Sequence, residues 1–154
     1  MITGWRIAKR RHAQDAFSGA GARLYGGRWN SPGRPAVYVS ETRALATLQI
    51  LAGLRTPAVI PAYVLIPVEF DEAFVTELDV RKLRKGWLDS PPGDATQRLG
   101  DRWIEAAKSA VLRVPSAVVP SEFNYVLNPA HPDFARIRMG RAAELYFDPR
   151  ILPG

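Results

Sequence analysis

The sequence predicts one α+β domain in which short strands, mixed or antiparallel in pairing, pack with two to four helices. Two observations carry that expectation. Thirteen prolines and twelve glycines cut the 154 residues into short pieces. The β-prone runs among those pieces do not alternate with helices in the regular βα manner that a doubly wound parallel sheet needs. A chain of this length buries about two thirds of the surface its unfolded form exposes, so residues 1–154 are expected to form a single domain.

Taken in order, GWRIA at residues 4–8 is the first strand. Residues 9–35 hold few periodic apolar positions and many turn formers, and read as a long ordered loop with one helical turn near Asp15 to Phe17; a loop that long inside a domain is usually functional. Ala36 to Val39 is a short strand, and Ser40 offers an N-cap to a helix in which Glu41 complements the dipole. TRALATLQILAGL, residues 42–54, has no breaker before Gly53 and predicts about three helical turns. VIPAYVLIPVE, residues 59–69, is the most β-like run, and its two prolines predict an edge or bulged strand. Leu78 to Trp87 reads as a short helix broken by Pro91-Pro92-Gly93. Asp94 then caps a helix to about Ser109, with Leu99, Trp103, Ala106, Ala107 and Ala110 at helical spacing. Short strands follow at 110–114, 117–119, 124–127 and 144–147.

Net charge is +6, from 21 Lys and Arg against 15 Asp and Glu. That favours an anionic partner: nucleic acid, a phosphorylated small molecule or an acidic protein face. The basic runs Lys9-Arg10-Arg11 and Arg81-Lys82-Leu83-Arg84-Lys85 are short enough to be solvated surface. The absence of cysteine excludes a disulfide framework and a thiolate zinc site. No apolar run reaches membrane-span length and MITGWRIAKRRH lacks the charge order of a signal peptide, so a cytoplasmic location is expected.

Two motifs fail. GAGARL, residues 19–24, lacks the third glycine of a dinucleotide loop and the Lys-Ser/Thr of a P-loop. His12 and His131 lie far apart without ligand spacing, so no metal is expected and each histidine reads as structural.

What remains is a set of polar residues in apolar or turn-rich settings. In RLYGGRWNSPG, residues 23–33, Arg28 follows Gly26 and Gly27, which permit close backbone approach, and is flanked by Tyr25 and Trp29, which can exclude water. Its planar fork of five donors suits pyrophosphate or ribose oxygens, though a surface arginine stacked on Trp29 is the plainer reading. Tyr38 ends a strand beside a helix N-terminus and can stack on a planar ligand or simply pack. Ser116 sits in the Pro-framed bend VPSAVVP, where local backbone often satisfies a hydroxyl. Gln49 has Leu45, Ala46, Ala52 and Gly53 as its helical neighbours, placing its amide on or beside the buried face. Such an amide needs partners, from backbone or from a ligand.

WRIA at 5–8, DAFSGAGARLYGGRWNSPGRPAVYVSE at 15–41 and VPSAVVPSEFNYVLNPAHPDF at 114–134 together resemble the RES-domain proteins, the toxin halves of bacterial RES-Xre toxin–antitoxin pairs. The likeness spans nearly the whole chain and keeps the order and spacing of the three blocks. The family takes its name from an Arg, a Glu and a Ser. Arg28 matches the first and Ser116 the last, and Tyr38 matches a tyrosine of the strand after the arginine loop. The glutamate is expected within the next helix, where ALATLQIL places Gln49; Glu41 lies more than two turns too early.

The resemblance implies an ADP-ribosyltransferase-like fold and NAD as substrate, consumed by hydrolysis, phosphorolysis or transfer of ADP-ribose to a protein. It implies that Arg28, with Tyr25 and Trp29 around it, holds the phosphates and ribose, that Tyr38 packs on nicotinamide, and that Gln49 and Ser116 stand at the reacting end. It further implies a cognate Xre-type antitoxin with a helix-turn-helix domain, through which alone the toxin would meet DNA. Cleaving the nicotinamide–ribose bond builds an oxocarbenium-like cation, which a carboxylate stabilises and an amide does not. Impaired turnover is therefore expected. Two other readings stand beside this one: a non-catalytic nucleotide- or antitoxin-binding module, and a nucleic-acid-directed toxin.

Overall fold

A computed structural model describes residues 1–54 and 61–152. Among them, eight strands form one sheet: β1 (Ile2–Lys9), β2 (Val37–Ser40), β3 (Tyr63–Phe70), β4 (Val75–Glu77), β5 (Val111–Pro115), β6 (Phe123–Leu127), β7 (Arg138–Met139) and β8 (Ala143–Glu144). The order is β4-β5-β6-β2-β1-β3-β7, with β8 also paired to β3. Every pairing is antiparallel except β4 with β5. Three α-helices accompany it: α1 (Ala20–Tyr25), α2 (Arg43–Gly53) and α3 (Asp94–Ala106). The α+β architecture with a mixed, mainly antiparallel sheet is the one the sequence predicts.

Local differences have local causes. The α2 cap is Thr42, whose Oγ1 accepts from the Leu45 N–H at 3.0 Å; Ser40, still extended, ends β2. The run at 59–69 is an interior strand at 63–70, paired along its length with β1 and on its other edge with β7 and β8. Its Pro67 is tolerated because the carbonyl, which needs no N–H, accepts from Gly140 at 2.7 Å. Residues 59 and 60 of that run lie outside the described residues. Leu78 to Trp87 is not an α-helix: a 3₁₀ turn at Val80–Lys82 and a further turn beginning at residue 85 occupy it, because Leu78, Leu83 and Trp87 all turn in against the same core cluster. Residues 117–119 form a turn rather than a strand, since Ser116 Oγ accepts from the N–H groups of Val118 and Val119. The long loop contains the unforeseen α1.

Two features of the core position the site. Val37 and Val39 point into one cluster with Val68, Phe70 and Leu127, so the alternate residue Tyr38 faces the other side of the sheet. There a second cluster joins Trp29, Trp103, Leu112, Val114 and Val126. Helix α3 lies over it, with Thr96, Gly100 and Trp103 buried and Gln97, Asp101 and Glu105 repeating every four residues along an adjacent face.

Candidate active site

The glycine pair before Arg28 has a steric cause. A Cβ on Gly27 would lie 2.6 Å from the Tyr38 hydroxyl. That closeness lets the loop close around the phenol: the Trp29 N–H donates to Tyr38 Oη at 3.1 Å, and the Tyr38 O–H donates to Asn30 Oδ1. Asn30, fully buried, donates in turn to the carbonyls of Ala22 and Arg34 at 2.9 and 3.0 Å, joining α1 to the loop. From the other side α3 grips the same loop. Gln97 donates to the Gly27 carbonyl at 3.0 Å, and Asp101 accepts from the N–H and hydroxyl of Ser31 at 3.0 and 2.6 Å.

Burial pushes the Tyr38 phenol well above its ordinary value, with the nearby Asp101 carboxylate adding to the rise. It is therefore neutral in the physiological range. Tyr38→Phe leaves Asn30 Oδ1 and the Trp29 N–H without their partner and should lower Tm by about 3–10 °C, measured by thermal unfolding at pH 7. Because the folded pKa is raised, the phenol's stabilisation is complete below the unfolded value of about 10 and declines as pH rises past it. The gap between wild type and Tyr38→Phe should narrow there; a gap that widens above pH 10 would contradict this placement.

Arg28 uses one nitrogen for structure. Its Nη1 donates to the carbonyls of Trp87 and Asp89 at 2.6 and 2.9 Å. Partial burial lowers its pKa while Asp89 and Tyr38 oppose that. Among the described residues Nε and Nη2 have no protein acceptor, so three of the five donors of a guanidinium remain for a ligand.

Gln49 lies one turn beyond the buried Leu45 of α2 and is held by three side chains. Ser40 Oγ donates to its Oε1 at 3.0 Å, and its Nε2 donates to Ser116 Oγ at 3.0 Å and to Asn124 Oδ1 at 2.9 Å. The amide thus sits at the junction of α2, β2, β6 and the bend after β5.

Arg28, Tyr38 and Gln49 line one cleft of about 570 Å³, with Tyr25 and Trp29 also at its wall. Ser116 is fully buried behind it and reaches the cleft through Gln49. Trp29 is 2% exposed, with its ring 6.3 Å from that of Trp87, so it anchors the loop from the core. Tyr25 is 84% exposed and does not close the cleft over Arg28 in this conformation. Glu41 is engaged elsewhere, accepting from the Phe123 N–H at 3.1 Å. His131 caps a 3₁₀ turn through Nδ1, which accepts from the Asp133 N–H at 3.0 Å.

Sequence reasoning missed Arg6, Asn124 and the segment Gly19–Ala22, all of which line the cleft. Arg6 donates to the carbonyls of Ala16 and Tyr38 at 2.9 and 3.1 Å, and burial lowers its pKa. Its signal was its place in WRIA: a charged residue inside a run otherwise suited to a buried strand. The glycines of GAGARL serve a short helix that forms the cleft wall, which is why they failed as a phosphate loop. Among the described residues no group of three His, Cys, Asp or Glu could hold a metal ion, and no helix is long and apolar enough to cross a membrane.

The profile of the RES domain family matches residues 3–148. The chain belongs to the RES domain family. It is 38% identical over 130 residues to "Toxin Res" of Photorhabdus laumondii, covering 84% of this chain and 83% of that one. It is 35% identical over 153 residues to the "Prs ADP-ribosylating toxin" of a Sphingobium species, covering 96% and 95%. The RES fold also resembles the M. tuberculosis MbcT–MbcA toxin–antitoxin complex, with TM-score 0.77 and 19% identity, over 94% of this chain and 84% of that one.

Proposed function

We propose that this RES-family toxin acts on NAD in the 570 Å³ cleft, breaking the nicotinamide–ribose bond. The observation that carries the reading is the convergence of Arg28, Tyr38 and Gln49 on that one concavity, in a chain 35% identical to an ADP-ribosylating toxin. The free donors of Arg28, with Arg6 nearby, take the diphosphate as charge-assisted hydrogen bonds. The neutral Tyr38 ring offers an apolar face to nicotinamide. Gln49 meets the ribose from which the bond breaks, and Ser116 acts as a positioning residue that fixes Gln49. The ribosyl cation formed is then taken by water, phosphate or a protein nucleophile.

Support for a protein partner comes from the solved neighbour, which is a toxin–antitoxin complex. An antitoxin of the Xre type, covering this cleft, fits the reading. Removal of Arg28 is its test. Arg28→Ala should weaken NAD binding, measured by calorimetric titration, by about tenfold or more. Unchanged affinity in a folded variant would overturn the assignment. A second reading is favoured by Gln49 itself: an amide where a carboxylate stabilises the cation suits a module that binds the nucleotide and turns it over slowly.

A further inference from the structure

A second concavity, of about 700 Å³, lies between the segment 81–89 and the first half of α3. Six cationic side chains and two carboxylates line it. Arg81 is tied to Asp79 and Arg98 to Asp94. Among the described residues Lys82, Arg84, Lys85 and Arg102 have no ion-pair or hydrogen-bond partner for their side-chain cations, although all line the same cleft. Four unpaired like charges around a hollow repel one another, and low-dielectric walls focus their field into it. An anion relieves that repulsion. Beneath the charged rim the floor is apolar: Leu83, Trp87 and Leu99 line it while packing on the Trp29–Trp103 cluster.

We propose that this cleft is a second ligand site, for a nucleoside polyphosphate whose phosphates meet the Lys82, Arg84, Lys85 and Arg102 rim and whose base rests on the Leu83–Trp87–Leu99 floor. Size and layout decide among anionic partners. The volume is that of a small-ligand pocket, and the combination of an apolar floor with a few charged groups is how such pockets are built. A nucleic acid would need cations tracking an extended backbone, and a poly-acidic peptide has no ring to seat on the Leu83–Trp87–Leu99 floor. Asp89, whose carboxylate folds over Gly86, fits the layout as an acceptor for ribose hydroxyls. Because Arg28 donates to the carbonyls of Trp87 and Asp89, this site shares a wall with the NAD cleft, but the proposal stands independently of what that cleft binds.

ATP is the probe, titrated calorimetrically at low salt against the full chain, with inorganic tripolyphosphate and a poly-glutamate peptide as separate arms. The expected result is saturable ATP binding, weaker binding of tripolyphosphate, and a loss of ATP affinity of about a hundredfold in Arg84→Glu/Lys85→Glu. Arg102→Glu, on the opposite wall, should act in the same direction, and NAD affinity should stay unchanged in both. ATP binding that survives these exposed charge reversals, or that NAD displaces in simple competition, overturns the site. Equal affinity for tripolyphosphate and ATP would overturn the base-binding floor. Binding of poly-glutamate without ATP would replace the nucleotide by an acidic protein.

Discussion

Gln49→Glu should release nicotinamide from NAD about a hundredfold faster than the present sequence, the size of effect that a single preorganised charge-stabilising group supplies. The surroundings of residue 49 already suit a carboxylate. Ser116 Oγ accepts from the Val118 and Val119 N–H groups at 3.1 and 3.2 Å as well as from Gln49 Nε2 at 3.0 Å. A hydroxyl has two lone pairs and one proton, so three donors crowd two acceptor sites while its own proton is left to donate. A glutamate would take that proton, and would keep the Ser40 hydroxyl that now donates to Oε1. Asn124 could turn its amide to add a third donor. Equal nicotinamide release by the two chains would remove the catalytic role of residue 49.

Gly100→Ala should be among the most damaging single-methyl additions in the chain. An added Cβ would sit 1.6 Å from the Trp29 carbonyl oxygen and 2.6 Å from its carbonyl carbon. Both are backbone atoms of the arginine loop, so no rotamer change relieves the clash. The helix must move off the loop, and with it go the Gln97 and Asp101 hydrogen bonds that hold Gly27 and Ser31. Overpacking of this kind costs about 3 kcal/mol or more, a fall in Tm of about 6–12 °C for a domain of this size. NAD binding should weaken as well, since Arg28 is carried on the displaced loop. A variant with unaltered Tm and NAD affinity would show that α3 does not set the loop.

Much of this was legible in the sequence because the signals were local. The breaker-free run of α2 and the β-prone run around Tyr38 each depend on a few neighbours, and so does the helical spacing of Leu99 and Trp103. The elements misread depend on distant partners. Pro61 and Pro67 argued for an edge strand, yet β3 is interior because β1 pairs with it throughout and Pro67 only has to accept. Leu78, Leu83 and Trp87 look helical until the core they turn toward is known. At the site, the residue types that carry chemistry stood out, but the frame did not. Asn30, Gln97 and Asp101 look like ordinary surface polar residues in a sequence; only the fold shows them as the clasp that closes the arginine loop. Ser116 was legible as a position, while its burial behind Gln49 was not.

The central claim is that one NAD molecule lies across Arg28, Tyr38 and Gln49. A crystal structure of the chain with NAD bound tests it most directly. The diphosphate should lie within hydrogen-bond distance of the Arg28 guanidinium and the nicotinamide ribose within that of Gln49. NAD seated away from both residues, whether on the 81–89 cleft or elsewhere, would contradict the account.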